Sequence, residues 1–271
     1  MTLRAAVINL RCGGDITDNL RHAERYIRTA HQDGAKLIVT PENTLLMQGS
    51  TKKLFANIRS EQDTIGISYF SALAKELGID LLIGSMAIKL SGTKAANRSY
   101  HFGPDGNIKA RYDKIHMFDV TINETETWKE SANYQAGNTP TITKAGEFEI
   151  GMSICYDLRF ANLYKHYAAQ GAHIMTVPAA FTAITGQAHW RVLLRARAVE
   201  TSAYVLAAAQ GGVHENGRAT WGRSMIIDPW GKVIAELDND QPGYCCADLS
   251  MDKLTDIRGR IPAWQQTTPL G

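Results

Sequence analysis

Cysteine is scarce in this chain. Cys12, Cys155, Cys245 and Cys246 are the only four in 271 residues, too few for a disulfide framework and without the C-x-x-C spacing of a metal or redox site. The eight histidines show neither H-x-H nor H-E-x-x-H, so ligand spacing gives no metal site and disfavours a metal-dependent amidohydrolase. An excess of either charge is also missing. Against 29 basic residues stand 27 acidic ones, which removes the electrostatic reason to expect nucleic acid or an anionic membrane as a partner. The most apolar long stretch, 192–209, carries Arg195, Arg197 and Glu200, groups that a bilayer core makes costly. No signal-peptide pattern precedes the first strand-like segment, so the expected address is the cytoplasm. Repeats, low-complexity tracts and Pro/Gly/Ser-rich linkers are absent too, and a single domain over 1–271 is expected.

The composition that remains, 44% hydrophobic and 21% charged, suits a soluble chain with a large core. Strand-like runs alternate with helical ones. Strands are expected over 4–10, 36–40, 80–90, 147–154, 173–178, 204–210 and 244–249, and helices over 18–32, 64–77, 160–170, 189–201 and 251–258. Gly103-Pro104-Asp105-Gly106 and Pro229-Trp230-Gly231 mark two hairpins. This order predicts an α/β fold with a mixed sheet or two sheets.

Three segments carry chemistry. The run from Phe148 to Cys155 reads as a strand ending at a cysteine, with a helix following. Free N–H groups at such a helix start favour a thiolate, and the Tyr156 N–H could receive an oxyanion. Cys12, Cys245 and Cys246 read as small buried hydrophobes. Thr40-Pro41-Glu42 places a carboxylate just past an apolar strand, where side chains converge at the mouth of an α/β sheet. Arg111-Tyr112-Asp113-Lys114-Ile115-His116 puts a lysine among aromatic and apolar neighbours. Each segment alone is a weak signal.

Together, Pro41-Glu42, Tyr112-Asp113-Lys114-Ile115-His116 and the block from Gly151 to Phe160 resemble the Glu, Lys and Cys motifs of the nitrilase, or carbon–nitrogen hydrolase, superfamily. The resemblance covers essentially the whole chain. It implies a four-layer α-β-β-α sandwich, with the site at the strand ends and no metal or cofactor. It also implies Glu42 as general base and acid, Lys114 as electrostatic stabiliser and Cys155 as nucleophile. The family's second glutamate maps to Glu130, in Lys129-Glu130-Ser131 ahead of Ala136-Gly137, rather than to Glu124 or Glu126.

Segments including 179–186, 189–190, 193–201 and 207–210 look most like the deaminated-glutathione amidases. That branch is expected to cleave a 2-oxoglutaryl amide to 2-oxoglutarate and cysteinylglycine. The similar omega-amidases act on 2-oxoglutaramate, and other amidases or carbamoyl-amine hydrolases of the superfamily stay open. A dicarboxylate-like substrate needs a cation, and Arg159 is the candidate, with a salt bridge to Asp157 or Glu200 as its alternative use. Phe181 and Thr185 are expected in the pocket wall. The tail Thr267-Thr268-Pro269-Leu270 departs from the basic residues usual in relatives. A homodimer or higher homo-oligomer is expected, with Phe160, Leu163, Tyr164 and Tyr167 as a candidate contact face. Competing classes are a Cys/His hydrolase using His116, His173 or His189, and an inactive binding module on the same scaffold.

Overall fold

Two-residue alternation decides how the first strand lies. In the computed structural model, which describes residues 1–124 and 126–266, β1 (Thr2–Asn9) turns Ala5 and Val7 into one apolar cluster and Ala6 and Ile8 into another. A strand covered on both faces reads this way. The chain continues through α1 (Ile16–Gln32), β2 (Leu37–Val39), α2 (Thr51–Asn57), α3 (Ile65–Leu77), β3 (Asp80–Lys89), β4 (Ala95–Phe102) and β5 (Ile108–Asp113). A small hairpin follows, β6 (Asp119–Thr121) and β7 (Thr127–Lys129), then β8 (Ile142–Ala145), β9 (Phe148–Met152), α4 (Ala161–Ala169) and β10 (Ile174–Thr176). The one-turn α5 (Ala183–Thr185) leads through a widened turn, Gly186–Trp190, into α6 (Arg191–Thr201) and β11 (Tyr204–Ala207). A second small hairpin, β12 (Gly211–Val213) and β13 (Ala219–Trp221), precedes β14 (Met225–Ile227), β15 (Val233–Glu236), β16 (Gly243–Ser250) and α7 (Met251–Arg260).

Two six-stranded sheets result, ordered β16-β1-β2-β3-β4-β5 and β15-β14-β11-β10-β9-β8. In each, three strands run parallel: β1, β2 and β3 in the first, β9, β10 and β11 in the second. Ala5, Val7, Leu37 and Val39 of the first sheet share a cluster with Ile150, Ile174 and Val205 of the second. The opposite face of the first sheet packs on Leu20, Ala23 and Ile27 of α1 and on Phe70 and Leu73 of α3. Leu163 and Tyr167 of α4 and Leu194 and Ala198 of α6 belong to the core beside the second sheet. The layers are helix, sheet, sheet, helix, as expected.

The long elements lie close to their expected bounds. Helix α3 stops where Gly78 takes a left-handed φ of 60°. Five features went unread: α2, the one-turn α5, β8 and the two small hairpins, whose strands lack the apolar runs that marked equally short β2 and β10. Cys245 and Cys246 pack on different clusters, as adjacent strand residues must, though both are only half-buried. Of the candidate contact face, Leu163, Tyr164 and Tyr167 are buried inside the protomer, which leaves half-buried Phe160, stacked on His116 with ring centroids 3.6 Å apart. The unusual tail at 267–270 lies outside the described residues.

Candidate active site

The turn that carries Cys155 is fixed before the cysteine is reached. After β9, Ser153 Oγ donates to the Thr176 carbonyl at 2.7 Å, and the Ile154 N–H donates to Asp157 Oδ2 at 2.8 Å. Cys155 then takes a left-handed φ of 51°, its N–H donating to the Pro178 carbonyl at 2.8 Å. A non-glycine residue holds such a conformation only where its surroundings over-determine it. Asp157 supplies much of that constraint. Fully buried, it also accepts the Tyr112 hydroxyl at 2.7 Å, the His116 N–H at 3.0 Å and a hydrogen bond with His116 Nδ1 at 2.7 Å.

Glu42 follows the end of β2. Gly84 lets β3 pass this corner, because a Cβ there would sit 2.1 Å from the Thr40 carbonyl oxygen. Lys114 follows β5, and Gly137 permits the close approach beside it, its N–H donating to the Lys114 carbonyl at 2.8 Å. Glu42 Oε1 accepts Lys114 Nζ at 3.0 Å and Asn97 Nδ2 at 2.9 Å, while Oε2 accepts the Ala180 N–H at 2.9 Å. Glu130 grips the same ammonium at 2.9 and 3.0 Å, and also accepts the Phe118 N–H at 2.7 Å and Asn97 Nδ2 at 3.1 Å. By contrast, Glu124 is exposed and Glu126 accepts its own neighbour's indole, Trp128 Nε1.

Burial is nearly complete, with relative exposures of 3% for Glu42, 2% for Lys114 and 6% for Cys155. Burial pushes the Glu42 carboxyl up, but the Lys114 and Arg218 charges and hydrogen bonds from Cys155 and Lys114 hold it below the ordinary glutamate range. Lys114 would lose its proton to burial, yet Glu130 and Glu42 hold its ammonium well above the usual lysine range. At Cys155 the surroundings work against a resting thiolate. Burial first, then the Glu42 charge, raise the thiol well above its ordinary value, outweighing Lys114. A tight turn, Cys155–Arg159, rather than an α-helix follows the cysteine. The resting state is a thiol against a carboxylate.

These groups line a cavity of about 350 Å³. Tyr156, Arg159, Phe181 and Thr185 all border it. Arg159 pairs with neither Asp157 nor Glu200: Asp157 holds His116, and Glu200 pairs with Arg197. Its guanidinium lies 5.8 and 5.4 Å from the ring centroids of Tyr156 and Phe181 and hydrogen bonds His189 Nδ1 at 3.2 Å. Phe181 packs on Trp190, and Thr185 hydrogen bonds Thr182. Asn97, Gln210, Trp128 and Arg218 were not anticipated. Gln210 Nε2 donates to the Glu42 carbonyl at 2.9 Å, and the other three border the cavity. Neither Asn97 nor Arg218 had a readable local signal: Asn97 stands in a strand that also carries Arg98, Ser99 and His101, and Arg218 sits in a hairpin turn.

Chemically, a thiol beside a buried carboxylate can pass its proton across as sulfur attacks a carbon, and a fixed ammonium can stabilise the oxyanion that forms. Among the described residues no group of three or more His, Cys, Asp or Glu is disposed to hold a metal. A family model described as carbon–nitrogen hydrolase matches residues 4–259. A deaminated glutathione amidase of Synechocystis sp. is 38% identical over 96% of both chains. Human omega-amidase NIT2 is 34% identical, over 98% of this chain and 95% of its own. In three dimensions the chain is similar to the C. elegans NitFhit protein, with a TM-score of 0.89 and 30% identity over 98% of this chain and 65% of that longer one.

Proposed function

This chain belongs to the carbon–nitrogen hydrolase family, and from that premise we propose that it is an amidase hydrolysing deaminated glutathione to 2-oxoglutarate and cysteinylglycine. Cys155 is the nucleophile. Its proton passes to Glu42 as sulfur bonds to the amide carbon, and the Lys114 ammonium with the Tyr156 N–H receives the oxyanion. Collapse breaks the C–N bond, and Glu42 returns its proton to the departing amine. Glu42 then deprotonates a water that attacks the thioester, releasing the acid and restoring the thiol. Glu130 and Asn97 act as positioning residues, holding Lys114 and Glu42. No step calls for a metal or cofactor.

One observation carries this reading: the thiol, a charged carboxylate and a charged ammonium meet in a nearly dry cluster at the wall of a cavity. The oxoglutaryl assignment rests on Arg159, a cavity cation without a carboxylate partner among the described residues, and on relatives bearing that activity in their names. No helix among the described residues is long and apolar enough to cross a membrane, and the reading places the enzyme in the cytoplasm as a homo-oligomer. The test is turnover of the oxoglutaryl amide of cysteinylglycine against 2-oxoglutaramate and a neutral amide of similar size, with and without EDTA. The expected order puts the cysteinylglycine amide first, unaffected by chelator. Preference for 2-oxoglutaramate would make the enzyme an omega-amidase, the activity in the NIT2 name. Turnover of neither oxoglutaryl amide would contradict the proposal.

A further inference from the structure

A second arginine borders the cavity, from an element other than the nucleophile turn. Arg218 projects from the turn between β12 and β13. That hairpin is tied down on both flanks. Buried His214 hydrogen bonds the Cys12 carbonyl at 2.8 Å through Nδ1 and Thr220 Oγ1 at 2.7 Å through Nε2. The Trp221 N–H donates to the Phe181 carbonyl at 3.0 Å, and Thr220 bridges to Thr182. The guanidinium is therefore delivered by a fixed loop rather than a waving one. It lies over the Trp128 ring, 4.6 Å from the centroid, and Nη2 donates to the Ala180 carbonyl. Among the described residues its one other side-chain hydrogen-bond contact is a long one from Nη1 to Met47 Sδ at 4.0 Å. Its charge acts on Glu42, but among the described residues no carboxylate is in ion-pair contact with it and its buried Nε has no hydrogen-bond partner. A guanidinium stacked on an indole keeps its N–H edge free for a planar anion.

The location says which part of a substrate it meets. Ala180, whose carbonyl holds Arg218, is the residue whose N–H donates to Glu42 Oε2 at 2.9 Å. Ala180 also hydrogen bonds Cys155, but the Arg218 charge acts on the Glu42 carboxyl, the group that protonates the departing amine, whereas Arg159 follows Cys155 in its turn. An amine leaving beside Glu42 extends its substituent toward Arg218. The geometry points to Arg218 as a specificity-determining residue that binds a carboxylate carried by the leaving amine, selecting a carboxyl-terminated peptide amine over ammonia or a neutral amine. This inference rests on the proposed amidase reading and adds the amine half to it.

Three substrates with the same oxoglutaryl half test it: the cysteinylglycine amide, its C-terminal carboxamide, and 2-oxoglutaramate. For the parent enzyme, kcat/KM for the free acid should exceed that for the carboxamide by roughly tenfold or more, the worth of one charge-assisted hydrogen bond. In Arg218→Met that ratio should collapse to within about twofold, while Arg218→Lys, which keeps the charge but not the planar fork, should retain part of it. Any general damage to Glu42 or to the hairpin lowers both peptide substrates together and cancels in the ratio. A parent enzyme indifferent to the C-terminal carboxylate, or an Arg218→Met variant with the parental ratio, would overturn the inference while leaving the amidase reading intact. A parent that cleaves none of the three would overturn both.

Discussion

Neighbours rather than solvent keep Glu42 and Lys114 charged, and their ionisation sets the pH behaviour. The carboxyl is held below its ordinary 4.5 and the ammonium above its ordinary 10.5. A lowered carboxyl stabilises the fold above its unfolded value and loses that contribution as pH falls through the folded one. A raised lysine contributes below its unfolded value and loses it as pH rises through the folded one. Both contributions are therefore complete at neutral pH. We expect kcat/KM to stay flat from about pH 5 to about pH 9, with the acid limb below the usual glutamate range. An inflection near pH 6 to 7, the ordinary histidine region, would favour a Cys/His mechanism. At this scale the sequence was informative where residues fall in motifs that resemble a known family, as at Glu42, Lys114, Glu130 and Cys155. It was silent on Arg218, because nothing local to a turn reveals what the turn packs over. What raises the Cys155 thiol, burial and the facing Glu42 carboxylate, is a tertiary fact that no local stretch of sequence displays.

Among elements, the strand ends do the placing. Glu42 follows β2 and Lys114 follows β5 in one sheet, while Cys155 follows β9 in the other. Asp157 connects the two motif segments, tying the Cys155 turn to Tyr112 and His116. Asp157→Asn keeps the shape but turns an acceptor into a donor that faces existing donors. Hydrogen bonds to a charged group are each worth about 1.5–3 kcal/mol, so urea unfolding should show a loss of at least about 2 kcal/mol, with kcat falling as the turn loosens. A variant within about 0.5 kcal/mol of the parent would remove Asp157 from this role. The helices were legible from their period and the central strands, even three-residue β2 and β10, from continuous apolar runs. The strands β6, β7, β12 and β13, mixed in composition, were not, although their hairpins deliver Trp128 and Arg218 to the cavity.

For the molecule as a whole, the candidate site exists only when the two sheets meet. The bonds from Ala180 N–H and Gln210 Nε2 to Glu42 cross from one half of the chain to the other. Partial unfolding of either half should therefore abolish turnover, not merely weaken it. Self-association cannot use the apolar side of α4, which is spent inside the protomer; exposed Val192 and Val199 of α6 and nearby Trp230 remain as large apolar groups on the surface. Light scattering at micromolar concentration should give at least a dimer mass, and a fully active monomer would contradict the homo-oligomer reading. The central claim, covalent catalysis by a Cys155 thiol that Glu42 deprotonates, is tested most directly by rapid acid quench of the enzyme during turnover, followed by peptide mass mapping. The account predicts the oxoglutaryl group as a thioester on Cys155 in the parent enzyme and none on Cys12, Cys245 or Cys246, with Glu42→Gln accumulating almost no acyl-enzyme. Turnover without any acyl group on Cys155, or acylation of Glu42→Gln at the parental rate, would contradict it.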